Sequence, residues 1–168
     1  MSSPLKVLAA FSLLILAACG FTPMYGSGAG SSGVSAPQGL DKVDIALIPD
    51  ESGVYLRNLL IDSFYRGGYP SSPTHALKIE NLNEREYSLD ITRESEATRK
   101  QIRLSATLVL TDRATGKPVL TRALTAITSY NVLGSQFTTR VSENDAREAA
   151  LTDLARQIEI QTALYFKR

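Results

Sequence analysis

The sequence predicts an α+β fold: a two-layer sandwich with two helices packed on one face of a four-stranded mixed sheet, in the order β-α-β-β-β-α. Three observations predict it. Apolar residues alternate with polar ones along 98–111, the period of a half-buried strand, and a turn leads from it to a second long strand, 119–132, rich in threonine and alanine. An apolar stripe at helical spacing runs from Ala150 to Tyr165. A Gly/Ser-rich stretch, residues 26–37, separates these elements from an apolar leader, so one folded unit begins near Leu40.

The leader reads as an export signal. Lys6 supplies positive charge, and Val7 to Ala18 is an uncharged run broken only by Ser12. That run is short of the ~20 residues that span a bilayer. It ends in Leu16-Ala17-Ala18-Cys19, which holds the chain's one cysteine. The pattern resembles the lipobox of bacterial lipoproteins, in which the thiol is diacylated and the chain is cut before it. A plain secretory signal needs no cysteine. The expected organisation is therefore a removed signal over 1–18, a lipidated N-terminus and flexible tether over 19–39, and a single α+β domain over 40–168. The lipid on Cys19, a diacylglycerol and an N-acyl chain, gives stable membrane attachment, which a single acyl chain would not. The next residue is Gly20 rather than Asp, which by resemblance to lipoprotein sorting favours the outer membrane. The 21 steps from Cys19 to Leu40 span roughly 25 Å r.m.s. as a flexible chain.

Each element of the domain has its own signal. Val43, Ile45 and Leu47 alternate with Asp44 and Ala46, and Pro49 stops the run: a short strand. Ser52 can cap a helix whose Leu56, Leu59, Leu60 and Phe64 fall at helical spacing, with Gly67-Gly68 as its stop. His75 to Ile91 carries Leu77 and Ile79, then Tyr87, Leu89 and Ile91, at period two. The interruption from Asn81 to Glu86 reads equally as a bulge, a bend or a turn. Along 98–111, Ile102, Leu104, Ala106, Leu108 and Leu110 share one face, and Arg99, Gln101, Arg103, Ser105 and Thr107 the other. Asp112 to Pro118 is a turn, and 119–132 completes an antiparallel hairpin. Ser142-Glu143-Asn144-Asp145 fits the capping signature of the last helix, and Lys167 and Arg168 sit at its negative end.

Composition removes several functions. Without residues 1–18 the chain has 150 residues, enough for one core, and its 17 acidic side chains balance its basic ones once Lys6 is lost. No global field draws it to nucleic acid. With Cys19 lipidated, no thiol remains for a disulfide, a metal or nucleophilic catalysis. His75 is the one histidine, and there is no G-x-S-x-G elbow, P-loop or dinucleotide fingerprint. No catalytic residue, metal site or cofactor is expected beyond the lipid. The basic residues Arg93, Arg99, Lys100 and Arg103, with Arg113 and Lys117 in the hairpin turn, are candidates for clamping phosphates. Taken singly, each reads better as a solvated side chain paired with Glu94 or Glu96 nearby.

The assembled pattern resembles the LptE family of lipopolysaccharide-assembly lipoproteins from Gram-negative outer membranes. The resemblance rests on Cys19-Gly20-Phe21-Thr22-Pro23-Met24-Tyr25-Gly26, then Ser129-Tyr130-Asn131-Val132, Asp145-Ala146-Arg147 and Leu154-Ala155-x-x-Ile158. It implies a non-catalytic lipoprotein, anchored at the periplasmic side of the outer membrane, that plugs and helps assemble the LptD β-barrel and assists lipopolysaccharide insertion. The implied partners are the LptD barrel, lipopolysaccharide and the membrane. Charge and strand face alone nominate Arg99, Arg103, Arg113 and Lys117 for lipopolysaccharide contact. The alternative is a periplasm-facing lipid- or glycan-binding lipoprotein without a barrel, which needs an apolar pocket between helices and sheet. An envelope hydrolase would need two carboxylates converging in a cleft.

Overall fold

The structure, a computed structural model of the chain, describes residues 39–91 and 97–167. The signal, Cys19, the tether, the Phe21–Gly26 motif, Arg93, Glu94, Glu96 and Arg168 lie outside them. Gly39 opens the domain with φ 98°, and a Cβ there would stand 2.5 Å from the Phe166 ring. Only glycine satisfies both the left-handed backbone and that contact. A 3-10 turn, Leu40–Lys42, leads into strand β1, Val43–Ile45. The predicted alternation overran: Leu47 is 79% exposed, and Ile48 enters the core in its place.

Helix α1, Glu51–Phe64, starts before the expected cap. Asp50 holds the N-cap position at φ 68° with no side-chain capping bond, and Ser52 sits within the first turn. The helix stops at Phe64, and the glycines shape the turn beyond it: Gly68, at φ 105°, donates its N–H to the Tyr65 carbonyl at 2.8 Å.

Strands β2 (His75–Ile91), β3 (Ala97–Asp112) and β4 (Pro118–Asn131) follow, then helix α2 (Gln136–Phe166). The sheet order is β1-β2-β3-β4, with β1 parallel to β2 and the other pairs antiparallel. The expected mixed sheet is present. Between β3 and β4, the Asp112 carboxylate accepts the Ala114 N–H at 2.7 Å, which holds the turn. Both helices cover one face. Leu56, Leu60 and Phe64 of α1 and Ala150, Leu151, Leu154 and Ile158 of α2 meet Leu77, Ile102, Leu104, Leu108 and Leu110 in one buried cluster.

Two features depart from the simple pattern. The interruption in β2 is a bulge. Glu80 pairs with Thr107 and Asn83 with Ser105, so Asn81 and Leu82 stand opposite Ala106 alone. Asn81 takes φ 54°, a conformation asparagine tolerates better than most residues. Because side chains alternate along a strand, one extra residue reverses the faces. Leu77 and Ile79 point to the helices before the bulge; Glu84 and Glu86, paired with Leu104 and Ile102, do so after it. Tyr87 therefore turns to the open face.

The second departure is the start of α2. Ser135 is its N-cap, and the Ser142–Asp145 signature lies inside the helix. The Thr139 hydroxyl secures the added turns: it accepts the Leu133 N–H at 3.0 Å and lies 3.1 Å from the carbonyls of Leu133 and Ser135. Phe137 and Val141 on these turns are exposed, so no apolar stripe marked them.

Candidate functional site

The register of β2, β3 and β4 builds a polar surface on the sheet face away from the helices. Arg103 sits opposite Arg85 on one side and Ile127 on the other. The Arg103 guanidinium lies 5.4 Å from the centre of the Tyr87 ring, a cation–π contact. Gln101, Ser105 and Thr107 of β3, with Thr125 and Ser129 of β4, surround this row. Among the described residues neither Arg85 nor Arg103 forms an ion pair. Like charges directly opposed on a sheet repel. An anion with several oxygens, such as a phosphate, would relieve that repulsion and match the two guanidinium forks.

The structure brings together some of the residues nominated from sequence and separates others. Arg99 and Arg103 share the open face, with Arg99 paired to Asn131. Arg113 and Lys117 lie at the other end of the hairpin. The ten residues from Arg103 to Arg113 correspond to about 33 Å of strand. Arg113 is engaged there: its Nη2 is 3.2 Å from Asp44 Oδ2, and its backbone N–H donates to Thr74 at 3.0 Å, tying the turn to β1. Sequence reasoning missed Arg85, because the bulge placed it on the face opposite to any simple count. Asn81, a residue that accepts left-handed backbone in the middle of a charged strand, was the available signal.

The helix-side face of the same strands holds the motif residues. Arg147 donates Nε to Glu84 Oε2 at 2.9 Å and Nη2 to Glu84 Oε1 at 3.0 Å, to Glu143 at 2.6 Å, and Nη1 to Asn144 at 2.9 Å. The bond to Glu84 first, and the one to Glu143 next, push its pKa up. The Tyr130 hydroxyl donates to Glu86 Oε2 at 2.6 Å, and Lys100 Nζ meets Glu86 Oε1 at 2.7 Å. Lys100 first, then Tyr130, holds the Glu86 carboxyl below its ordinary range. Burial, reinforced by Glu86, pushes the Tyr130 hydroxyl well up. Among the described residues this half of β2, beyond β1, has no outer strand neighbour, and the cluster fastens it to α2 and β4. It thereby fixes the plane in which Arg85 and Tyr87 stand. Thr128 adds a bond from its hydroxyl to the Ala146 carbonyl at 2.8 Å.

The carboxylates of Glu84 and Glu143 converge on Arg147, and Glu86 is taken by Lys100 and Tyr130, so each is engaged by a donor within the domain. Among the described residues no group of three His, Cys, Asp or Glu is placed to hold a metal, and no helix is long and apolar enough to cross a membrane. The helix–sheet interior is filled by the apolar cluster. A cleft of about 230 Å³ between the helices is lined mainly by polar groups, including Glu51, Asn144, Arg147 and Glu148.

The fold is shared with solved structures of lipoproteins. A protein of Caulobacter crescentus described as a lipoprotein superposes with TM-score 0.62 at 21% identity, covering 79% of this chain and 95% of that one. Rare lipoprotein B of Shewanella oneidensis gives 0.57 at 8% identity, over 75% and 94%. A minor lipoprotein of Acinetobacter baumannii gives 0.53 at 23% identity, over 73% and 88%. No curated protein matches the chain in sequence. The LptE family, described as lipopolysaccharide-assembly, matches residues 40–162, which include β1, the bulged strand, the open face and the Arg147 cluster, and the chain belongs to that family.

Proposed function

We propose that this protein is the lipid-anchored, non-catalytic subunit of an outer-membrane lipopolysaccharide translocon. On this reading it sits in the lumen of the LptD β-barrel, assists the barrel's assembly, and takes part in lipopolysaccharide insertion. Membership of the lipopolysaccharide-assembly family supports the pathway. The observation that carries the finer reading is the open sheet face. It is polar, as the lumen of an outer-membrane barrel is polar, and it presents Arg85 and Arg103 without acidic partners among the described residues. A plug needs a rigid polar surface, and a phosphorylated glycolipid needs cationic forks. The lipid on Cys19 holds the domain at the periplasmic side of the outer membrane, and the protein partner sets its position.

The test is affinity purification of the full lipidated chain from outer membranes in mild detergent. A large barrel protein is expected in stoichiometric amount, together with lipopolysaccharide. In the double substitution Arg85→Glu and Arg103→Glu, the lipopolysaccharide recovered per complex drops several-fold while the barrel remains. Recovery of the chain as a free monomer at every salt concentration would overturn the reading.

A further inference from the structure

Sheet edges leave backbone N–H and C=O groups available to other chains, and proteins defend them. Two edge stretches of this sheet are defended. Along β1, the Tyr65 hydroxyl accepts the Ile45 N–H at 3.1 Å and donates to the Val43 carbonyl at 2.9 Å, and Arg57 reaches the Ile45 carbonyl at 3.4 Å. Along β2 past its pairing with β1, the edge carries the bulge at Asn81 and the charges of Lys78, Glu80, Glu84, Arg85 and Glu86.

Among the described residues β4 is defended at one point only, the Thr125 carbonyl. It is 14 residues long, keeps an unbroken register from Leu120 to Asn131, and bears one charged side chain, Arg122. Its proline, Pro118, is only the first residue. The Thr125 carbonyl accepts Gln157 Nε2 at 3.1 Å, whereas the Val132 N–H turns inward to Thr98 at 2.9 Å. Backbone direction alternates along a strand, so Ala123, Thr125, Ile127 and Ser129 aim their N–H and C=O groups away from β3.

A second observation points the same way. A groove of about 560 Å³ lies between Leu120 and Arg122 of β4 and Leu164, Tyr165 and Phe166 of α2. Leu120 and Arg122 share the helix-side face, where alternate side chains of an added strand would lie. Among the described residues the Arg122 guanidinium forms no ion pair; its bond is to the neighbouring Thr121 carbonyl, at 3.1 Å.

We infer that the β4 edge is a strand-addition site. An extended segment of a partner polypeptide pairs with Thr121–Ser129, places one bulky apolar side chain in the groove, and presents a carboxylate to Arg122. Main-chain bonds supply the affinity and the groove supplies the selectivity. β4 contains no Asp or Glu, so the paired strand of a second copy cannot provide that carboxylate. The inference requires a protein partner and does not depend on that partner being a barrel.

The test is amide hydrogen exchange, resolved to single residues, on the full lipidated chain in its native membrane assembly and on the same chain purified alone. The expected result is slowing by roughly tenfold or more at Ala123, Thr125, Ile127 and Ser129 in the assembly only. Equal, fast exchange at these amides in both samples overturns the inference. Protection that grows with the concentration of the purified chain also overturns it, since a second copy would then occupy the edge. Ala123→Pro removes one outward N–H without touching the β3 ladder, and is expected to abolish the protection at Thr125 and Ile127. Arg122→Glu, a change at an exposed side chain, lowers the protection several-fold even where the proline variant folds poorly. Undiminished protection in the Arg122→Glu assembly counts against the site.

Discussion

Before the bulge, β2 sends Leu77 and Ile79 into the core and Lys78 and Glu80 to water; after it, the same strand sends Glu84 and Glu86 towards the helices and Arg85 and Tyr87 to the open face. The proximal half is held by apolar burial. The distal half is held by Arg147, Tyr130 and Lys100 gripping two carboxylates. Burial is non-directional and tolerates small shifts, whereas a forked guanidinium on a carboxylate fixes orientation. The contrast teaches that the domain's stability and its presentation of the arginine row rest on different forces in different halves, so each can be perturbed alone.

The largest expected effect lies in the proximal half. Leu108→Ala removes a fully buried side chain opposite Ile79 and should cost about 2–5 kcal/mol in global stability, read from the denaturant midpoint. Arg147→Ala comes next, at about 1.5–3 kcal/mol, because it strands Glu84 and Glu143. Its signature separates the halves: amides of residues 83–89 and 99–104 should exchange faster while those of 107–111 keep their relative protection. Uniform loss across both halves would dissolve the comparison. Asn81→Ala should cost about 1 kcal/mol through its left-handed backbone, and Asn81→Gly almost nothing; equal effects of the two would remove the bulge's conformational basis. The smallest effect is on pH dependence. The folded Glu86 carboxyl is depressed by Lys100 and then Tyr130, so its contribution is present above the unfolded carboxylate pKa of about 4.3 and is lost as pH falls through the lower folded value. Midpoints measured on descending pH should fall less steeply for Glu86→Gln.

These halves differ equally in how legible they were. The stripe of Ala150, Leu151, Leu154 and Ile158 and the alternation from Ile102 to Leu110 follow one period without interruption, and the structure buries all of them. The N-terminal turns of α2 escaped notice because exposed Phe137 and Val141 fit no stripe, while Ser142-x-x-Asp145 imitated a beginning. Arg85 escaped because a count of alternate residues carries no information across an inserted one. The Arg147–Glu84 pairing joins residues 63 positions apart, and nothing local announces it. Tyr130 and Arg147 were visible only as family motifs; their bonds now give those motifs a physical reason.

Gly39 has a mechanical consequence. The chain enters the domain there, against Phe166, the last residue of α2, while Gln136 begins that helix 30 positions away, about 45 Å along a straight rod. A pull on the N-terminal chain is therefore loaded into the base of the rod and the parallel β1–β2 pair beside it. The Arg147 clasp, 19 positions before Phe166, stands about 28 Å along the rod from that point. Contacts on the distal half of the open face can therefore be made and released without loading the end at which the chain enters.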